Sequence, residues 1–135
     1  MAWLYVVSHD HVEGIHYVVG EAYVGGHGLH AWVELPNDLV FDGVMQRFYP
    51  RAAYYDRQNA RVYYRYTGAA AVQIHRALDR KFGDEATWAW HHYLGLPWGD
   101  ASAPLLIDSD QAVRLLAENG LGDGKVISWR RRKTE

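Results

Sequence analysis

The apolar positions of the chain come in two rhythms. The first half carries short blocks of β-branched and aromatic residues broken by glycine-rich or polar stretches, and the second half repeats at three and four residues. "WLYVV" at 3–7 reads as a strand, "SHDHVEG" as a turn, and "IHYVVGEAYV" at 15–24 as a second strand with Gly20 marking a bulge or bend. "GGHG" is a connection, and "LHAWVEL" and "LVFDGV" flank "PND", which signals a hairpin. "MQRFYPRAAYYDRQNA" reads as irregular, with a short helical turn around "PRAAYY". "RVYYRYT" returns as a strand, with Val62, Tyr64 and Tyr66 weakly alternating against Arg61, Tyr63 and Arg65.

The hairpin register follows from patterning alone. A loop of Pro36, Asn37 and Asp38 sets Leu35 opposite Leu39, so Ala31, Val33, Leu35, Leu39 and Phe41 share a wholly apolar face. His30, Trp32, Glu34, Val40 and Asp42 share the other. A slip of one residue would mix the two sets, which burial of one face penalises. His30 and Asp42 then become diagonal neighbours within reach of each other.

After Thr67 the period changes. "GAAAVQIHRALDRKFG" places Ala71, Ile74, Leu78 and Phe82 on one stripe with Gly83 as its stop. "DEATWAWHHYLG" follows with Asp84 as a cap candidate, and "LPWGDASAPLL" is a loop. "DSDQAVRLLAENG" is the clearest helix, with Asp108 and Gln111 spaced as a capping box and Gly120 at its end. "KVISW" is expected as an edge strand. The expected fold class is therefore α+β: an antiparallel sheet mainly from the N-terminal half, packed by helices mainly from the C-terminal half. Residues 1–129 are expected to form a single domain, with the basic "RRRKTE" at 130–135 as a disordered tail.

Composition narrows the partners. A net charge of −2 gives the fold no general pull toward nucleic acid or anionic membrane. No apolar run approaches the ~20 residues that span a bilayer, and "MAWLYVVSHDH" lacks the basic and apolar regions of a signal peptide. The absence of cysteine removes disulfides and thiolate metal sites; it fits a reducing compartment, and the cytoplasm is the expected location. Ten Tyr and six Trp against three Phe suit half-wet cores, pocket walls and interfaces.

The hairpin carries the candidate chemistry. "VEGIHYVVGEAYVGGHGLHAWVELPNDLVFDG" resembles the transglutaminase-like and papain-like cysteine hydrolase superfamily, closest to its small bacterial and phage members. The likeness spans roughly residues 12–67. It implies His30 as the base, Asp42 as the carboxylate that orients it and Trp32 as the aromatic neighbour. It also implies a thiol at the start of a helix ahead of the "VEG" strand, where the helix N-terminus would lower its pKa. This chain has no cysteine, its residues ahead of Val12 read as a strand, and Gly43 follows Asp42 where the family often has Pro. Ser8 sits beside "HDH" rather than at a helix start and reads as a turn hydroxyl. The function expected is a Cys-less relative of these hydrolases, a pseudoenzyme that retains a His/Asp-lined groove and needs no cofactor.

Two alternatives stay open. One is a metal-assisted hydrolase in which His9, His11 and His16 hold Zn²⁺ or Fe²⁺, since "HDH" can turn two imidazoles the same way. Its competitor is a set of solvated loop histidines. The other is a binding subunit of a larger assembly, whose partner chain supplies what is missing; the partner expected is another protein or, as a homo-oligomer, further copies of the chain. His91 and His92 point about 100° apart on a helix and read as helix-face residues. "YVGGHG" precedes no helix, so it makes no phosphate cradle, and no carboxylate pair of glycosidase type stands out.

Overall fold

The structure is a computed structural model, and it describes residues 2–83, 94, 96–97 and 99–121. The expected helix at 84–95, the Asp84 cap, His91, His92, "KVISW" and the tail lie wholly or largely outside the described residues.

Four helices and a six-stranded sheet make up the described part, and the fold is α+β as expected. The elements run α1 (Ala2–Ser8), β1 (His16–Tyr23), β2 (His27–Leu35), β3 (Leu39–Asp42), β4 (Arg47–Pro50), α2 (Arg51–Arg57), β5 (Arg61–Thr67), α3 (Gly68–Phe82), β6 (Leu105–Ile107) and α4 (Ser109–Glu118). The sheet order is β4-β3-β2-β1-β5-β6. Every neighbour is antiparallel except β5 and β6, which run parallel. A parallel pair needs a long crossover, and α3 lies within that connection.

The hairpin has the register argued from its pattern. Leu35 faces Leu39, Glu34 faces Val40 and Val33 faces Phe41. Asn37 and Asp38 both take positive φ, which lets the short loop follow the twist of its strands. Val33, Leu35 and Phe41 enter the main core with Tyr17, Val19, Tyr64 and Tyr66, beneath α1, α3 and α4. The opposite face is covered as well: Val18, Trp32, Val40 and Val62 pack with Tyr54 of α2.

Gly20 marks a bulge, as the sequence indicated. Val19 pairs with Tyr64 and Gly20 with Val62, so Tyr63 has no pairing partner in the β1 ladder, although its hydroxyl donates to Glu21. The weak alternation read along β5 holds for burial, with Val62, Tyr64 and Tyr66 buried, but the bulge divides these three between the two faces of the sheet. Arg65 pairs with Val18, and Val62 joins the cluster of Val18 and Trp32, so these two share the α2 face. Tyr64 and Tyr66 point to the main core. The extra residue resets the parity of the strand.

The expected strand at 3–7 is a helix instead. Ala2, Tyr5, Val6 and His9 form a stripe at helical spacing, and Ala2 and Val6 are buried in the main core. Tyr5 stacks on Phe41 with ring centroids 4.5 Å apart. Tertiary packing overrides the strand preference of Val6, Val7 and Tyr5. The stretch expected to be irregular holds β4, an edge strand whose side chains are exposed except for the half-buried Tyr49, tied to β3 by backbone pairing. It also holds α2, at the expected "PRAAYY" turn. The "LPWGDASAPLL" loop ends in the three-residue β6.

The later helices follow their sequence signals. Thr67 caps α3 by accepting from the Ala70 amide, and Gly83 at φ 75° closes it. Asp108 and Gln111 form the expected capping box of α4. Ala71, Ile74 and Leu78 of the α3 stripe are buried, whereas Phe82 at its end is exposed.

Candidate functional site

β2 presents His30, Trp32 and Glu34 on the face that α2 covers. Two polar networks grow from them, with Trp32 between.

The first network centres on Asp42. His30 Nε2 lies 2.8 Å from Asp42 Oδ2, and the Tyr54 hydroxyl donates to the same oxygen at 2.6 Å. Asp42 Oδ1 accepts from the backbone amides of Val44 at 2.9 Å and Met45 at 3.1 Å. The carboxylate therefore also builds the tight turn into β4, in which Gln46 takes φ 54°. Asp42 is fully buried, and burial alone would push its carboxyl up. The hydrogen bonds from His30, Tyr54 and the Met45 amide, together with the charge on His30, outweigh that and hold it at about 2.

An ionised carboxylate can only accept, so His30 donates through Nε2. In the neutral ring Nδ1 is then left as the base. The His30 side chain is 13% exposed, and its ring lies 6.1 Å from that of Trp32, near parallel to it. Tyr54 remains a donor because burial, and then the Asp42 charge, push its phenol well above the usual range.

The second network surrounds Glu34, which is 2% exposed. Arg65 grips it with Nε on Oε1 at 2.7 Å and Nη2 on Oε2 at 3.2 Å. The Tyr55 hydroxyl donates to Oε2 and accepts from Trp32 Nε1 at 3.0 Å. Burial pushes the Glu34 carboxyl up, but the hydrogen bonds from Arg65 and Tyr55 prevail and it sits below the usual value. His16 pairs across the sheet from Glu34, and burial, opposed by the Glu34 charge, lowers its pKa.

The structure thus brings together His30, Asp42 and Trp32 and adds Tyr54, Tyr55, Glu34 and Arg65. Glu34 was already visible on the His30 face of the hairpin, as a carboxylate on an otherwise aromatic and apolar strand. Tyr54 and Tyr55 gave no signal beyond their place in the helical turn, because their partners are distant in sequence. The proposed metal ligands divide. His9 closes α1 by donating Nδ1 to the Tyr5 carbonyl at 2.8 Å, and its ring lies 6.3 Å from that of His11. His16 belongs with Glu34. Among the described residues no three His, Cys, Asp or Glu side chains are grouped to hold a metal ion. Ser8 donates to the Tyr5 carbonyl at 3.1 Å. α1 packs on the sheet face opposite His30, through Tyr5 and Phe41.

Compared with protein-family models, curated proteins and solved structures, the chain finds no match in any of the three. No helix among the described residues is long and apolar enough to cross a membrane.

Proposed function

We propose that the face around His30, Trp32 and Asp42 is the base-and-carboxylate half of a papain-like or transglutaminase-like hydrolase site. In this chain it acts as a binding face without the thiol. The observation that carries the reading is the His30 Nε2–Asp42 Oδ2 contact of 2.8 Å, made between neighbouring strands at the positions the "HAWVE…D" pattern names. The carboxylate is ionised, the imidazole is tethered through one nitrogen, and the other nitrogen is left to take a proton. The absence of cysteine from the sequence makes the site incomplete by itself. A protein partner of different sequence is the natural source of a thiol nucleophile.

The test supplies the missing group. With a chelator present, the protein alone is expected to leave peptide and amide substrates uncleaved. With p-nitrophenyl acetate and 2-mercaptoethanol, wild type is expected to exceed the thiol-only rate, and His30→Ala and Asp42→Asn to lose that excess. Equal rates for wild type and His30→Ala would remove the base. Cleavage without thiol that disappears in His30→Ala would instead make the chain a complete enzyme of another kind.

A further inference from the structure

Among the described residues β4 ends the sheet on one side, and its outer edge is unpaired. The ladder decides which backbone groups face out. The Arg51 amide donates to the Asp38 carbonyl at 2.7 Å, which makes these two a hydrogen-bonded pair in the β3–β4 register. Counting in twos, Tyr49 and Arg47 also turn their amides and carbonyls toward β3. Phe48 therefore turns its N–H and C=O outward. Its ring lies 5.0 Å from that of Phe41 yet is 56% exposed, and Leu39 on the same face is exposed as well. α2 turns inward from Pro50, over Val40 and Trp32, and leaves this edge uncovered. A bare backbone donor and acceptor beside an exposed aromatic ring is a template for one more strand.

The strand that fits is β4 itself. A two-fold axis through Phe48 sets it against Phe48 of a second copy, and each N–H donates to the other's carbonyl. The two exposed rings then lie side by side on one face of the sheet. On the other face Arg47 stands across from Tyr49 of the second copy, where a guanidinium can lie on a phenol ring. No two like charges stand opposite each other. A shift of one residue would set the outward groups of one copy against the inward ones of the other. Pro50, which has no N–H, and the turn at Gln46, with φ 54°, end the match on either side.

We propose that the chain pairs with a second copy of itself through β4, centred on Phe48, into one continuous antiparallel sheet. The axis stands perpendicular to the sheet, so both α2 faces, each with its His30, look the same way. The interface is independent of the His30–Asp42 reading and would stand if that reading failed.

The contact is small, so the association is expected to be weak. Sedimentation velocity of the whole chain, from about 1 μM to about 1 mM, should show a reversible change from one copy to two and no further growth. Phe48→Lys sets like charges against each other at the axis and should weaken the dimer about tenfold or more. Phe48→Glu should do the same, and mixing the two variants should restore the dimer, which misfolded variants could not do. The chain has no cysteine, so Phe48→Cys would carry its single thiol. A Cα separation of about 5.5 Å across a hydrogen-bonded pair is within disulfide reach, so this variant should oxidise to a covalent dimer. Leu105→Cys, on the opposite edge strand β6, should not. A single copy throughout the concentration range would overturn the proposal. So would growth beyond two copies, undiminished association in Phe48→Lys, no recovery on mixing, or crosslinking of Leu105→Cys in place of Phe48→Cys.

Discussion

The Tyr54 hydroxyl donates at 2.6 Å to Asp42 Oδ2, the oxygen that also receives His30. With two backbone amides on Oδ1, all four donors around the carboxylate come from β2, α2 and the turn into β4. Tyr54→Phe removes one donor while keeping the ring that packs on Trp32. The expected cost is about 1.5–3 kcal/mol in urea denaturation at neutral pH, as for a hydrogen bond to a charged group. The Asp42 pKa, followed by carboxyl NMR, should rise from about 2 toward the ordinary value. An unchanged Asp42 titration would deny Tyr54 this positioning role.

Asp42 should also make stability depend on acid. Its folded pKa of about 2 lies below the reference of 3.8, so its contribution is fully present above pH ~4 and is lost as pH falls toward ~2. The depression corresponds to roughly 2 kcal/mol. Glu34 is depressed as well and adds a loss of the same sign, so the measurement must be differential. The stability gap between wild type and Asp42→Asn should narrow from pH 5 to pH 2. A gap constant across that range would mean that Asp42 titrates alike folded and unfolded.

Arg65 and Glu34 should prove coupled. Arg65→Gln leaves a buried carboxylate with Tyr55 as its remaining side-chain donor, a loss of about 3 kcal/mol. This is the low end for a buried pair, because the Arg65 side chain is 34% exposed. Glu34→Gln/Arg65→Gln should recover a good part of that loss. A double-mutant cycle by chemical denaturation reads the coupling, and strict additivity would count against the pair.

Gly20 should tolerate no side chain. A Cβ there would stand 1.9 Å from the Arg61 carbonyl oxygen and 3.2 Å from the Trp32 ring. Neither the paired backbone nor the buried indole can yield easily, so Gly20→Ala should cost about 2 kcal/mol or more. A neutral effect in thermal or urea unfolding would mean that β5 can slide away from β1 at this point.

What was legible in the sequence was whatever short-range pattern decides. The two faces of the hairpin, the Asp108–Gln111 box and the Gly83 stop each depend on neighbours a few residues apart. The His30–Asp42 contact was legible because a known register converts spacing into distance. α1 was misread because a seven-residue helix built from Val, Tyr and Trp satisfies strand preferences almost equally well, and its stripe counts only against the core it covers. β4 carries little alternation because an edge strand buries little: Phe48 and Tyr49 each touch one face of the sheet, and backbone pairing to β3 supplies the rest. Tyr54, Tyr55 and Arg65 reach their carboxylates across 12, 21 and 31 positions of chain, beyond the reach of any local pattern.

Val62 and Arg65 stand three positions apart, yet they share a face because Gly20 and Val18 opposite them are two apart. The bulge at Tyr63 absorbs the odd residue. A chain lacking Tyr63 would pair one to one here and keep both flanks of β5 on their faces. A single-residue insertion between Arg65 and Thr67 has no such slack, and would turn Arg65 from Glu34 or Tyr66 from the core. Length in β5 is therefore free to change by one residue at the bulge and nowhere else along the strand.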